Sequence, residues 1–96
     1  MTYDNFEWDE EKNENNIKKH GISFKEATEA FYDEHALIFP DEKHSTEEER
    51  FIVIGFSEKD KLLFVSHCYR EKGDIIRIIS ARIATRMEQK KYHTSY

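Results

Sequence analysis

Apolar and polar positions alternate differently along the chain, giving a helical first third, an extended middle and a basic end. A short strand is predicted around Tyr3 to Trp8. Asp9 then stands where a helix N-cap belongs, Glu10 and Glu11 fill a first turn, and Lys18, Lys19 and His20 fill a last turn before Gly21. Acids at the start and cations at the end suit the helix macrodipole, so a helix is predicted from Glu10 to His20. Ile17 is its only aliphatic side chain, so its stability must come from caps, charges and docking through Trp8 and Ile17. The stripe of Lys12, Asn16 and Lys19 is then left to meet a ligand.

Ser23 followed by Glu26 reads as a capping box, with Ile22 placed to staple against Ala27. Phe24, Ala27 and Phe31 recur at helical spacing and predict a core-facing helix to about Asp33. Ala36 to Phe39 reads as a short strand ended by Pro40, and the acidic stretch 41–49, with His44 and Ser45, as a solvated loop. Strands are predicted at Arg50 to Phe56, Leu62 to Tyr69 and Asp74 to Ser80, joined by short polar turns into an antiparallel meander. The simplest turn lengths place Arg50, His67 and Arg77 in one row on one face. Phe51, Val53, Leu62, Phe64, Ile76 and Ile78 then fall on the other, helix-covered face. A one-residue slip in either hairpin would reverse His67. A last helix is predicted from near Ala81 with Ser80 as N-cap, putting Arg82 and Arg86 one turn apart and Thr85, Glu88 and Tyr92 on another side. The fold class is α+β.

Composition adds an asymmetry that the net charge hides. The 96 residues carry a formal charge of −5, yet residues 1–60 hold 7 basic and 17 acidic side chains while 61–96 hold 8 and 3. An acidic protein can therefore present a basic face to RNA or to an acidic partner. The length suits one domain over residues 1–96 with a modest core. The one cysteine, Cys68, excludes an internal disulfide and reads as a buried small side chain. The start, MTYDNFEWDEEKN, lacks the pattern of a signal peptide, and no apolar run is long enough to span a membrane, so a cytoplasmic protein is expected.

The chemistry concentrates in IIRIISARIATRMEQKKY, residues 75–92. An arginine inside an apolar strand wants an anionic partner, and its planar fork suits phosphate or carboxylate. Arg77, Arg82 and Arg86 together point to phosphate; the alternative for each is an ion pair with the chain's own acids. The histidines at 20, 35, 44, 67 and 93 form no HExxH or Cys/His cluster, the three glycines form no phosphate loop, and no serine sits in a nucleophile elbow. No metal or other cofactor is expected.

The segments FEWDEEKNENNIKKHGISFKEA, RFIVIGFS and RIISARIATRMEQKKY, in this order across almost the whole chain, resemble the BrnT family of bacterial type II toxins. The resemblance implies a RelE-like ribonuclease domain that cleaves RNA and inhibits translation. It further implies a BrnA-type antitoxin with a ribbon-helix-helix DNA-binding end, and repression of the pair's operon by the complex, so that operator DNA is met only through the antitoxin. The family signature falls on Trp8, Asp9, Lys12, Asn16, Lys19, His20 and Gly21, and on Arg77, Ser80, Ala81, Arg82, Ala84, Arg86, Glu88 and Tyr92. Met87 departs from it, standing where another basic residue would be unsurprising, and the linker is very acidic.

A metal-independent ribonuclease needs cations for the pentacovalent phosphate, a base for the 2′-hydroxyl and an acid for the departing 5′-oxygen, and leaves a 2′,3′-cyclic phosphate. Arg77, Arg82 and Arg86 are assigned to charge stabilisation, with Arg50 as a fourth cation. His20, His67 and Glu88 are the candidates for acid or base. Lys12 and Lys19 are expected to bind RNA and Tyr92 to stack on a base. The alternative is a noncatalytic module that docks an acidic partner or nucleic acid through its basic face. Operator recognition by this chain alone lacks helix-turn-helix spacing.

Overall fold

The computed structural model describes residues 2–44 and 48–95, with Thr2 and Tyr3 described in backbone only. The single strand expected at the start is two: β1 (Thr2–Tyr3) turns at Asp4, whose φ of 53° is left-handed, into β2 (Phe6–Glu7). Helix α1 (Glu10–His20) has the expected bounds and caps. The Asp9 carboxylate accepts from the Glu11 and Lys12 amides at 2.9 and 3.1 Å, and Gly21, at φ 73°, donates to the Ile17 carbonyl at 2.8 Å.

The way α1 docks differs from expectation. Ile17 is 43% exposed, and Asn16 is the buried side chain. Its amide nitrogen donates to the Ile22 and Ala81 carbonyls, each at 2.8 Å, and its oxygen accepts from the Ala81 amide at 3.1 Å. Asn16 thus supplies Ala81 with the two partners a neighbouring strand would offer. The Lys12, Asn16, Lys19 stripe therefore faces a strand edge through its middle residue, while both lysines remain exposed.

Helix α2 (Phe24–Glu29) is capped by Ser23, whose hydroxyl accepts from the Glu26 amide at 3.0 Å. The box is not reciprocal, because the Glu26 carboxylate turns away to accept from the Ser57 hydroxyl at 2.9 Å. A 3₁₀ turn, Ala30–Tyr32, completes the expected segment. Strands β3 (Leu37–Pro40), β4 (Phe51–Phe56), β5 (Leu62–Arg70) and β6 (Ile75–Ile83) follow. The expected loop over 41–49 contains a 3₁₀ turn at Glu42–His44, and Ser45 lies outside the described residues. The six-stranded sheet runs β1-β2-β6-β5-β4-β3, with β2 parallel to β6 and the other pairs antiparallel.

The last helix is the largest correction. Residues 81–83 continue β6, and α3 (Arg86–His93) begins five residues later than Ala81. Thr85, not Ser80, is its N-cap: the hydroxyl accepts from the Glu88 amide at 3.3 Å while the Glu88 carboxylate accepts from the Thr85 amide at 2.9 Å. Arg82 and Arg86 are therefore a strand residue and a helix residue, not a helical pair.

Helices cover the sheet from both sides, unequally. On one face α2 and the residues flanking α1 form a core of Phe6, Trp8, Ile22, Phe24, Ala27 and Ala30 against Val53, Leu63, Val65, Ile78 and Ala81. There the Ala30 carbonyl oxygen lies so close to Gly55 that a Cβ would collide with it, which requires glycine in β4. On the other face α3 packs Tyr92 with Ile52, Ile54, Leu62 and Ala84. Leu62 and Phe64 thus do not share a face with Phe51, Val53 and Ile78 as the simplest turns implied. Tyr92 donates to Asp33 at 2.6 Å, and Lys91 lies 3.6 Å over the Phe39 ring. Among the described residues, no helix is long and apolar enough to cross a membrane.

Candidate active site

The α3-bearing face of the sheet carries the cations. Both hairpins slip by one residue from the simplest turns, so Phe56 opposes Leu62 and Arg70 opposes Ile75. Cys68 then opposes Arg77, and continuing the β4 register by one residue sets Arg50 opposite Cys68. The arginine row survives with Cys68 in its centre, and His67 passes to the other face. Next to this row Ser66 opposes both Ile52 and Ser80, and beyond it Phe64 opposes both Ile54 and Arg82. Ile79 is the extra residue of a β-bulge, since β6 advances from Ser80 to Ile78 while β5 advances only from Ser66 to His67. The bulge keeps both Arg77 and Arg82 opposite the buried Ile78 and Ala81.

A groove of about 280 Å³ opens on this face. Its floor is Ile52, Phe64, Ser66, Ile79 and Ser80; Arg50 and Arg82 line its sides, and Asp41 and His44 reach it from the 3₁₀ turn. Arg82 is held in place rather than merely present. Its two terminal nitrogens donate to the two Glu88 oxygens at 2.7 and 2.9 Å, and its guanidinium carbon lies 4.1 Å from the Phe64 ring centre. The Glu88 bond pushes the Arg82 pKa up, and burial opposes it less. Burial alone would raise the Glu88 carboxyl, but the bonds from Arg82 and the Thr85 amide hold it below the usual carboxylate range. Glu88 is accordingly a weak base with both oxygens engaged.

The other sequence candidates scatter. Arg77 donates to Glu7 at 2.6 Å, and Arg70 lies 3.7 Å from the same carboxylate, so Arg77 forms the ion pair that is the ordinary fate of a strand arginine. Arg86 is exposed at the start of α3. His20 ends α1 half-buried, and Lys12 and Lys19 are exposed; none of the three lines the groove. Tyr92 cannot stack on a base: it is buried, its ring edge-on to Phe56 and its hydroxyl spent on Asp33.

His67 is fully buried on the α2-facing side, with Phe31, Phe51 and Tyr69 around its ring. Its Nε2 meets the Tyr69 hydroxyl at 3.2 Å, and burial pushes its pKa down to about 4. It is a neutral core side chain, out of reach of anything in the groove. Cys68 is buried as expected, and burial, with Glu48 nearby, pushes its thiol up. The role of four groove residues is not visible in the sequence. The Asp41, His44 pair at i, i+3 reads as solvated loop, Ser66 as an ordinary strand position and Ser80 as the N-cap of the last helix.

A protein-family comparison matches residues 8–88 to the ribonuclease toxin, BrnT, of type II toxin–antitoxin systems. Among solved structures, the chain is similar to the 1.1 Å crystal structure of the Brucella abortus ribonuclease toxin BrnT, with 27% identity and a TM-score of 0.62 over 82% of this chain and 94% of that one. No curated protein sequence matches. The α+β class and terminal helix agree with this likeness, to which the label RelE-like fits less closely than BrnT itself. With the family match running from Trp8 through Glu88, the chain belongs to the BrnT family of ribonuclease toxins of type II toxin–antitoxin systems.

Proposed function

We propose that this chain is a metal-independent endoribonuclease whose active site is the arginine-flanked groove on the α3-bearing face, and that cleavage inhibits translation. The observation that carries the reading is Arg82, clamped by Glu88 and Phe64 beside a serine floor and across from Arg50. A guanidinium whose geometry is fixed before substrate arrives pays little reorganisation when charge builds on the phosphate. Arg50 and Arg82 bracket the scissile phosphate, the Ser66 and Ser80 hydroxyls bond its oxygens, and Glu88 orients Arg82. Arg86, and Lys12 and Lys19 on the α1 stripe centred on Asn16, extend the basic track along which the RNA backbone runs. Arg77, tied to Glu7, contributes through the field of the face rather than by contact.

A type II toxin has an antitoxin, and the partner proposed is of the BrnA type. It would bring a ribbon-helix-helix end, and the complex would repress its own operon, operator DNA being met only through the antitoxin. Met87, an apolar side chain 83% exposed, follows Arg86 at the start of α3, the helix on the groove-bearing face. This mixture of apolar and cationic surface supports a protein covering the groove's edge.

The test is to incubate the purified chain with defined single-stranded RNA in EDTA, alongside an Arg50→Ala, Arg82→Ala double variant. Fragments ending in 2′,3′-cyclic phosphate, lost in the double variant, are expected. Intact RNA from folded wild-type protein, on naked and ribosome-bound message alike, would leave the chain a binding module.

A further inference from the structure

The groove has its cations, but the groups expected to move protons lie elsewhere: His67 is in the core, His20 is outside the groove and Glu88 is committed to Arg82. Among the described groove-lining residues, the titratable side chains other than arginine are Asp41 and His44. We propose that His44 is the general base of the groove, oriented by Asp41, and that it deprotonates the 2′-hydroxyl of a ribonucleotide whose phosphate lies between Arg50 and Arg82. This rests on the ribonuclease reading and gives it the residue it lacks.

The chain builds the pair locally. Pro40 ends β3, the Asp41 amide donates to the Arg50 carbonyl at 2.8 Å, and the 3₁₀ turn returns the His44 amide to the Asp41 carbonyl at 3.3 Å. In a 3₁₀ turn residues i and i+3 eclipse, which stacks the imidazole on the carboxylate. His44 Nδ1 lies 3.2 and 3.0 Å from the two Asp41 oxygens. An ionised carboxylate only accepts, so Nδ1 carries the hydrogen and Nε2 keeps the lone pair. Exposure divides the roles: the Asp41 side chain is 16% exposed and anchored, whereas His44 is 66% exposed at the groove. Nε2 has no hydrogen-bond partner among the described residues, as a base awaiting substrate requires.

The step balances without a cofactor. The 2′-hydroxyl proton passes to His44 Nε2 as the O2′–P bond forms; the P–O5′ bond breaks, and the leaving 5′-oxygen takes a proton from water at the open mouth. The resulting imidazolium is stabilised by Asp41 and returns its proton to solvent. Asp41 is a positioning residue, because it acts on RNA only through the ring.

The test measures single-turnover cleavage of one RNA by wild type, His44→Ala, His44→Gln and Asp41→Asn, with RNA affinity and thermal melting measured for each. Removing a positioned general base costs roughly 10²–10⁴-fold in rate. Both His44 variants are expected to fall in that range with affinity within threefold, and imidazole added to His44→Ala should restore activity in proportion to its concentration. Asp41→Asn should lower the rate constant without changing affinity, and added imidazole should leave it unrescued. If wild type cleaves and the His44 variants cleave within twofold of it, the assignment to His44 is overturned while the ribonuclease reading stands. Rate loss in His44→Ala that imidazole does not rescue, with melting lowered, would also overturn it in favour of a structural role. RNA left intact by the wild type would remove the ribonuclease reading and this proposal together.

Discussion

The two faces of the sheet each hold a histidine, and their settings differ in every respect that matters for proton transfer. His67, on the α2-facing side, is enclosed by aromatic rings and neutral, with its pKa near 4. His44, at the groove, is exposed, pinned through one nitrogen by a carboxylate and, among the described residues, without a partner at the other. Arginines divide the same way: Arg50, Arg77 and Arg82 belong to the groove-bearing face, whereas the opposite face is an apolar core. Changes on one face should therefore move chemistry, and changes on the other should move stability. A residue's type says little until its face is known.

After His44 itself, the largest effect is expected at Arg82. Removing a preorganised donor from a charge-stabilising site costs about 10²–10³-fold in rate, so Arg82→Ala should lose that much RNA cleavage while Glu88 continues to cap α3 and the melting temperature stays within a few degrees. If Arg82→Ala instead unfolds the chain and spares the activity of what remains folded, the division between the faces fails.

The second effect belongs to the core. The folded pKa of His67 lies below its unfolded value of 6.5, so the unfolded chain takes up the proton first. The stability tied to a neutral His67 is complete above pH 6.5, declines as pH falls, and levels off below about pH 4, a change of about 3 kcal/mol. Urea unfolding between pH 7 and 4 should show this slope, and His67→Leu should flatten it. Asp33 and Glu88 act in a lower window, because their depressed values protect them until more acid pH. A His67→Leu protein that keeps the full slope would place the acid sensitivity elsewhere.

How much of this was legible in the sequence depends on the range of the interaction. Helix α1 was readable to its ends, because Asp9, the charge order and Gly21 act within one turn. Register was not, since turn lengths leave a one-residue ambiguity that long-range packing resolves, and that residue exchanged His67 for Cys68 in the arginine row. The start of α3 was misplaced although a signal existed: Thr85 followed by Glu88 is a better capping box than a lone Ser80, and the isoleucines at 75, 76, 78, 79 and 83 carry the strand past it. Asn16 was invisible in its true role, because a side chain that completes a strand edge depends on contacts 65 residues away. Of the site, Arg82 and Arg50 were readable as cations, but Asp41 and His44 were hidden in a segment whose acidity suggested nothing but solvent.

Asn16 gives the third prediction. Asn16→Ala should leave an amide and a carbonyl of Ala81 unpaired at a buried edge, and each such group costs about 1–3 kcal/mol. A loss of at least about 2 kcal/mol by denaturant unfolding is expected on that basis. Because Ala81 lies between Ser80 and Arg82, this variant should also loosen the groove and lower cleavage severalfold, coupling the faces more than His67→Leu does. Unchanged stability would mean that water replaces the amide without penalty.

The smallest effect is expected at Tyr92, and it separates the two jobs done on the groove-bearing face. Tyr92 lies there by position but acts structurally: its hydroxyl donates to Asp33 at 2.6 Å, and Asp33 also accepts from the Phe56 amide at 2.9 Å. Burial would raise the Asp33 carboxyl, yet these bonds lower it, so the carboxylate is ionised and the tyrosine bond is charge-assisted. Tyr92→Phe keeps the ring against Phe56 and removes only that bond, for a loss of about 1–2 kcal/mol. The Asp33 pKa should then rise toward the usual carboxylate value, shifting part of the acid unfolding to higher pH, while RNA cleavage per folded molecule stays at the wild-type rate. Lost RNA affinity at unchanged stability would instead mean that Tyr92 leaves its pocket to meet RNA, and the boundary between the anchored end of this face and its groove would have to be redrawn.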